Sequence, residues 1–273
     1  MSGNQHKALT WRLWLLNPRA AYHRASVVGA DRIPRSGGCL IVSNHGRLDF
    51  DLFILLRLIL RERGRLARMM ADHMWFRVPL AGRVFRSIGA VDGSRENAAR
   101  LLGDQELVLT YPGGVREIMG STFRREHIDW EGRRGFAHVA LDAGVPVVPV
   151  VGAGVNSGHI FITRGRLLGK LVFQGLLRLG SQCADYRDPL TMGVIPVPLP
   201  FGLAVNFPLP CKLTYYVGEP VDPPSAREGQ PASESAVEEF AREVIGSMEA
   251  LIQLHGRPLE APNAGVNPQR GVR

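Results

Sequence analysis

The chain has 273 residues, 45% of them hydrophobic and 21% charged, which excludes a disordered or fibrous protein and one too small to close its own core. Its 33 Lys and Arg residues against 25 Asp and Glu residues leave a net charge of +8, and 30 of those cations are arginine, whose planar fork suits phosphate and carboxylate groups. An anionic partner is therefore expected, with nucleic acid, a phospholipid surface and a phosphorylated small molecule all open on charge alone.

From Leu9 to about Ala25, Trp11, Trp14 and Leu15 fall at helical spacing with Arg12 and Arg19 around them, and Pro18 interrupts the period. The segment reads equally as an amphipathic element on a membrane surface and as a helix packed on the body of the domain. Its apolar run is too short for a secretory leader and has no cleavage pattern, so export is not expected. Cys39 to Val42 is strand-like, the stretch from about Phe50 to Leu60 is helix-like, and the polar junction Ser43 to Asp49 joins them. LARMMAD predicts a strand, MWFRVPLAGRVFRSIG a helix broken at Pro79, and AVDGSRENAARLL a strand end, a turn and a helix beginning near Ser94. Leu107 to Thr110 is a further short strand, EGRRGFAHVALDAG a helix closed by Gly144, and Val145 to Val151 a buried strand. Beyond Gly152 come an apolar helix candidate at Leu167 to Leu179, an uncharged loop from Pro189 to Cys211 whose prolines forbid a spanning helix, and a strand within KLTYYVGEPV. An amphipathic helix from about Ala236 to Leu254 precedes a tail rich in Pro, Asn and Gly.

Short apolar strands alternating with longer helices predict an α/β fold: a single layered domain with a largely parallel sheet flanked by helices, plus N-terminal and C-terminal helices. The organisation expected is an N-terminal segment at 1–25, a main domain at 26–222, a linker and C-terminal helix at 223–258, and a disordered tail at 259–273. Functional groups should gather at the carboxyl ends of the strands. Cys39, Cys183 and Cys211 are odd in number and widely spaced, which suggests neither a disulfide framework nor a zinc site and fits a reducing compartment.

Of eight histidines, His45 directly follows an apolar strand and has two carboxylates close behind it, Asp49 and Asp51. Its near-neutral imidazole is suited to take a proton from a hydroxyl, given a carboxylate to fix its tautomer. Spacing alone favours a plainer reading, in which Asn44 and His45 form a turn and the acids cap the next helix. In YPGGVRE, Gly113 and Gly114 allow backbone to approach a ligand and Arg116 offers an anion grip, although the motif alone is only a turn. His127 and Asp129 read as solvated, His73 beside Asp72 as scaffold, and the pairs Arg124-Arg125 and Arg133-Arg134 as a solvated face or, with Arg116, a basic rim. No Walker loop, dinucleotide fingerprint or Gly-x-Ser-x-Gly elbow is present. With 7% aromatics and no basic helix among them, nucleic acid is disfavoured as a partner.

SNHGRLDFD, AVDGSRENAARLL, LTYPGGVREIM and WEGRRGFAHVALDAGVPVVPV, in this order and spacing, resemble the lysophospholipid and glycerolipid acyltransferase superfamily over roughly Val28 to Val221. Within it the chain is most similar to the branch of monoacylglycerol and diacylglycerol acyltransferases. Two departures from the bacterial lysophosphatidate enzymes carry that placement: three and five residues stand between His45 and the acids rather than the usual four, and Gly113-Gly114-Val115-Arg116 replaces Glu-Gly-Thr-Arg. The resemblance implies an O-acyltransferase that moves a fatty acyl group from acyl-CoA, or another thioester, to a hydroxyl of a glycerolipid-type acceptor. His45 is the implied base, Asp51 its orienting partner with Asp49 as alternative, and Gly113, Gly114, Arg116, Glu117 and Arg95 the implied substrate contacts. No metal or cofactor is expected beyond acyl-CoA as co-substrate. The alternatives are a lysophosphatidate-type acyltransferase and a non-catalytic lipid-binding protein of the same fold. Because the acceptor is poorly soluble and every long apolar stretch is cut by charge or proline, the expected location is the cytoplasmic face of a membrane, as a peripheral protein on an anionic surface.

Overall fold

In the computed structural model, residues 17–46, 52–77, 79–114, 128, 130, 132–155, 210–224 and 232–255 are described. In chain order these give α1 (Asn17–Tyr22), β1 (Ser26–Val28), a single 3-10 turn (Ala30–Arg32), β2 (Cys39–Ser43), α2 (Leu52–Arg63), β3 (Ala67–Ala71), α3 (His73–Arg77), α4 (Pro79–Ser87), β4 (Val91–Asp92), α5 (Arg95–Gly103), β5 (Leu107–Thr110), α6 (Gly135–Ala143), β6 (Val147–Ala153), β7 (Thr214–Val217) and α7 (Glu234–His255). Among the described residues the strands form one sheet in the order β1-β7-β6-β2-β5-β3-β4. All neighbouring pairs are parallel except β6 with β7, where Val150 faces Val217 and Ala153 faces Thr214 in antiparallel register. The α/β architecture read from alternating strands and helices is the one adopted.

Strand residues of successive parity face opposite sides of the sheet, and each side has its own apolar layer. On one side Ile41, Met69, Leu109 and Val148 pack with Ile54, Leu55 and Leu58 of α2. On the other, Leu40, Val42, Val108 and Val151 pack with Leu101 and Leu102 of α5, Phe136 and Ala140 of α6, and Phe240 and Val244 of α7. In α7 the buried positions Val237, Phe240, Ala241, Val244 and Met248 recur every three or four residues, the stripe a helix must show to lie on a sheet. At about 1.5 to 3 kcal/mol for each fully buried aliphatic side chain, these two layers dominate what holds the fold.

Local differences from the sequence reading have simple causes. Pro18 sits in the first turn of α1, where its missing N–H costs nothing, and the stretch before it whose period it was expected to interrupt lies outside the described residues. The edge strand β1, three residues long, was not foreseen; it is recruited by β7, with Ser26 opposite Thr214. Strand β6 begins at Val147 and runs on to Ala153, because Val145 only closes the Gly144 cap of α6 while β7 extends pairing at the far end. The expectations for Trp11 and Trp14, the helix at Leu167 to Leu179, most of the loop from Pro189 to Cys211 and the tail lie outside the described residues.

Candidate active site

Because β2, β5, β3 and β4 run parallel, their carboxyl ends share one edge of the sheet, and His45, Arg95, Gly113 and Gly114 of the residues singled out in the sequence follow those ends. His45 is the second residue after β2 and only 8% exposed. Its neighbour Asn44 clamps the strand end: its side-chain amide donates to the Gly152 carbonyl at 3.3 Å, and its Oδ1 accepts from the Gly152 N–H at 2.7 Å. This pair of bonds locks the end of β2 to β6 and so fixes where His45 emerges.

The His45 ring is oriented through Nδ1, 2.9 Å from the Gly46 carbonyl oxygen. A carbonyl only accepts, so Nδ1 carries the proton and the lone pair of the neutral ring lies on Nε2. One face of the imidazole packs against Tyr111, with centroids 4.6 Å apart and planes tilted by 40°. The two residues share a cavity of about 100 Å³, walled also by Leu52, Met69, Trp75 and Phe85 and bordered by Asp72 and Gly114. This wall forms where α3 and α4 meet, with Trp75 stacked on Phe85 at 5.3 Å.

A second cavity of about 250 Å³ opens on the opposite face, between the starts of α5 and α6, and Arg95 and Arg133 line it. Ser94 sets the first of these helices, in extended conformation at φ −108° and ψ 156°, accepting the Asn97 N–H at 3.1 Å and so presenting Arg95 in the first turn. The Asn97 side chain also donates to the Asp92 carbonyl, tying the cap to β4. Arg133 donates from Nη1 to the carbonyls of Gly113 at 3.0 Å and Pro112 at 3.4 Å. It thereby holds the turn that the Gly114 N–H closes on the Tyr111 carbonyl at 3.1 Å. Gly114 has φ +54°, a left-handed conformation that favours glycine, and a Cβ there would stand 3.0 Å from that same Arg133 nitrogen and press on the grip.

Of the residues picked from sequence, the structure brings His45 and Gly114 to one cavity and puts Arg95 at the other, with Gly113 buried in the turn near both. Asp49, Asp51, Arg116 and Glu117 lie outside the described residues. Asp72, set aside as scaffold beside His73, borders the His45 cavity while its carboxylate lies 3.6 Å from the His73 ring. Arg133 and Arg134 divide: Arg133 grips the glycine turn, whereas Arg134 pairs with Glu238 of α7 at 3.2 Å. Sequence reasoning missed Asn44 as a clamp and Arg133 as a grip, because each partner lies far away in the chain and is main chain rather than side chain. Among the described residues no group of three His, Cys, Asp or Glu side chains is placed to hold a metal ion.

Residues 24–152 match the protein-family model described as Acyltransferase. The human "DGAT1/2-independent enzyme synthesizing storage lipids" is 31% identical over 240 residues, 87% of this chain and 64% of its own length. Its bovine counterpart is 30% identical over 240 residues, 87% of this chain and 62% of its own. An uncharacterized protein of Mycobacterium tuberculosis is 32% identical over 205 residues, 74% of this chain and 53% of its own. The chain thus spans less than two thirds of the length of these relatives. The crystal structure of the 1-acyl-sn-glycerophosphate (LPA) acyltransferase of Thermotoga maritima superimposes with a TM-score of 0.54 at 18% identity, covering 95% of this chain and 86% of that one, a likeness of fold.

Proposed function

We propose that the chain, which matches the Acyltransferase family model over residues 24–152, is an acyltransferase that moves a fatty acyl group from an acyl thioester, acyl-CoA above all, to a hydroxyl of a glycerolipid-type acceptor. The observation that carries this reading is the His45 imidazole, buried at the carboxyl end of a central strand with its Nδ1 2.9 Å from the Gly46 carbonyl oxygen, at the mouth of an apolar cavity. In the proposed reaction Nε2 takes the acceptor hydroxyl proton as the oxygen attacks the thioester carbonyl. The tetrahedral oxyanion forms near the backbone of Gly113 and Gly114, and its collapse breaks the carbon–sulfur bond. The departing thiolate then takes the proton back from the imidazolium, so neither an acyl-enzyme nor a metal is required. Asp51, or Asp49, supplies the negative charge that favours the imidazolium, and Arg95, Arg116 and Glu117 contact the substrates.

One observation favours a second reading of the acceptor. Neither Arg95 nor Arg133 has a carboxylate within ion-pairing distance among the described residues, and two such guanidinium groups beside a cavity suit a phosphorylated acceptor of lysophosphatidate type. In either case the acceptor is a lipid, and with a net charge of +8 we place the protein at the cytoplasmic face of a membrane, held to its anionic surface from outside the bilayer.

The test is mass spectrometry of products from labelled acyl-CoA and a mixed panel of mono- and diacylglycerols, lysophosphatidate and glycerol phosphate. Wild-type protein should label one acceptor class, and His45→Gln should lose about a hundredfold to ten-thousandfold in rate while remaining folded. Full turnover by folded His45→Gln removes the base from the mechanism. A wild-type protein that binds acyl-CoA and labels nothing is instead a lipid-binding member of the fold.

A further inference from the structure

Asp72 directly follows β3 and stands at the start of α3, where its carbonyl accepts the Trp75 N–H at 3.1 Å. The main chain thus pins it at the carboxyl edge of the sheet, and the residue, partly buried, lines the same cavity of about 100 Å³ as His45. Among the described residues along that cavity it is the one carboxylate, and no Lys or Arg accompanies it. Much of the remaining wall, with Leu52, Met69, Trp75 and Phe85, is apolar, a setting in which a charge is poorly screened. Arg95 and Arg133 line the larger cavity on the other face of the sheet and not this one. The Asp72 carboxylate also lies 3.6 Å from the exposed ring of His73.

We propose that Asp72 is a specificity-determining residue, a negative charge beside the reacting hydroxyl that keeps phosphorylated acceptors out of the His45 cavity and favours an acceptor with a neutral hydroxyl in the same place. The inference rests on the acyl-transfer reading and chooses between the two acceptors that reading leaves open. In lysophosphatidate the phosphate is carried by the same glycerol backbone as the hydroxyl that His45 deprotonates, so bringing the hydroxyl to the imidazole brings the phosphate to the cavity that Asp72 lines. A like charge a few ångströms away in a partly exposed site weakens binding about tenfold to a hundredfold. A monoacylglycerol carries a free hydroxyl there instead, which can donate a charge-assisted hydrogen bond to the carboxylate. A site built to accept that bond discriminates against acceptors that lack the hydroxyl.

The experiment measures kcat and KM of the full-length protein with acyl-CoA and either monoacylglycerol or lysophosphatidate, both presented in neutral detergent micelles, for wild type, Asp72→Asn, Asp72→Ser and His73→Gln. Asparagine and serine remove the charge but remain favoured at a helix start, whereas His73→Gln keeps the charge and removes the ring beside it. Wild type should prefer monoacylglycerol, and in both Asp72 variants the ratio of kcat/KM for monoacylglycerol to that for lysophosphatidate should fall at least about tenfold, chiefly through a lower KM for lysophosphatidate with kcat little changed. His73→Gln should keep the wild-type ratio. An unchanged ratio in folded Asp72→Asn or Asp72→Ser, a shift of equal size in His73→Gln, or a wild type that prefers lysophosphatidate overturns the charge filter alone. No transfer to either acceptor by the wild type overturns the acyl-transfer reading and the filter with it.

Discussion

Cys39 opens β2 fully buried, and that burial pushes its thiol up from 9.0 to about 12, against a smaller opposing pull from the Arg65 charge. A thiol whose pKa is higher in the folded chain holds its proton there after the unfolded chain has lost its own. Its contribution to stability is therefore complete below about pH 9 and is lost as pH climbs toward 12. Comparing wild type with Cys39→Ala by urea unfolding from pH 8 to 11 should show the wild type losing about 2 to 3 kcal/mol more over that range. Parallel curves for the two proteins would show that the thiol ionises freely. At this same scale His45 was legible in the sequence, because an imidazole directly after an apolar strand has a recognisable pattern. Its contact with the Gly46 carbonyl was not, because that is an atom every residue possesses, and the carboxylates expected to orient the ring, Asp49 and Asp51, lie outside the described residues. Asn44 was equally hidden, since the backbone that it clamps is at Gly152, 108 positions along the chain.

Elements with their own start signals could be read, and those made by distant partners could not. Ser94 followed by a helix-forming run announces α5, and the structure shows the hydroxyl accepting the Asn97 N–H. The same cap helps hold Glu96 below the usual carboxylate range, after that residue's own backbone N–H and ahead of Arg95. Ser94→Ala should cost about 1 kcal/mol in chemical denaturation, and Ser94→Asp should recover most of it, because a carboxylate at this position caps equally well. A Ser94→Ala protein as stable as wild type would mean that the tie from Asn97 to Asp92 alone secures the helix start. In contrast, β1 offers only Ser26, Val27 and Val28, too few for an alternating pattern, and its strand character comes from pairing with β7, 188 residues away at Ser26 and Thr214. The antiparallel joining of β7 to β6 is likewise a property of the pair and not of either segment.

For the whole molecule the governing quantities are charge and the insolubility of the proposed acceptor. No helix of the described residues is long and apolar enough to cross a membrane, and the 33 cations, nearly all arginine, outnumber the acids by 8. Each arginine near an anionic surface contributes about 1 kcal/mol, so a handful on one side suffices for reversible attachment, and salt at physiological strength weakens it because the screening length is then only about 8 Å. Co-sedimentation with vesicles is therefore expected to be strong on phosphatidylserine-containing membranes at low salt, to fall steeply as salt rises, and to be weak on purely zwitterionic ones. Removing residues 1–16, which carry Trp11 and Trp14, should reduce the salt-resistant part of the binding, since insertion of apolar rings is not screened whereas arginine attraction is. If neither the full chain nor the shortened one sediments with anionic vesicles at low salt, the protein meets its acceptor away from a bilayer, and the search for that acceptor moves to soluble hydroxyl compounds.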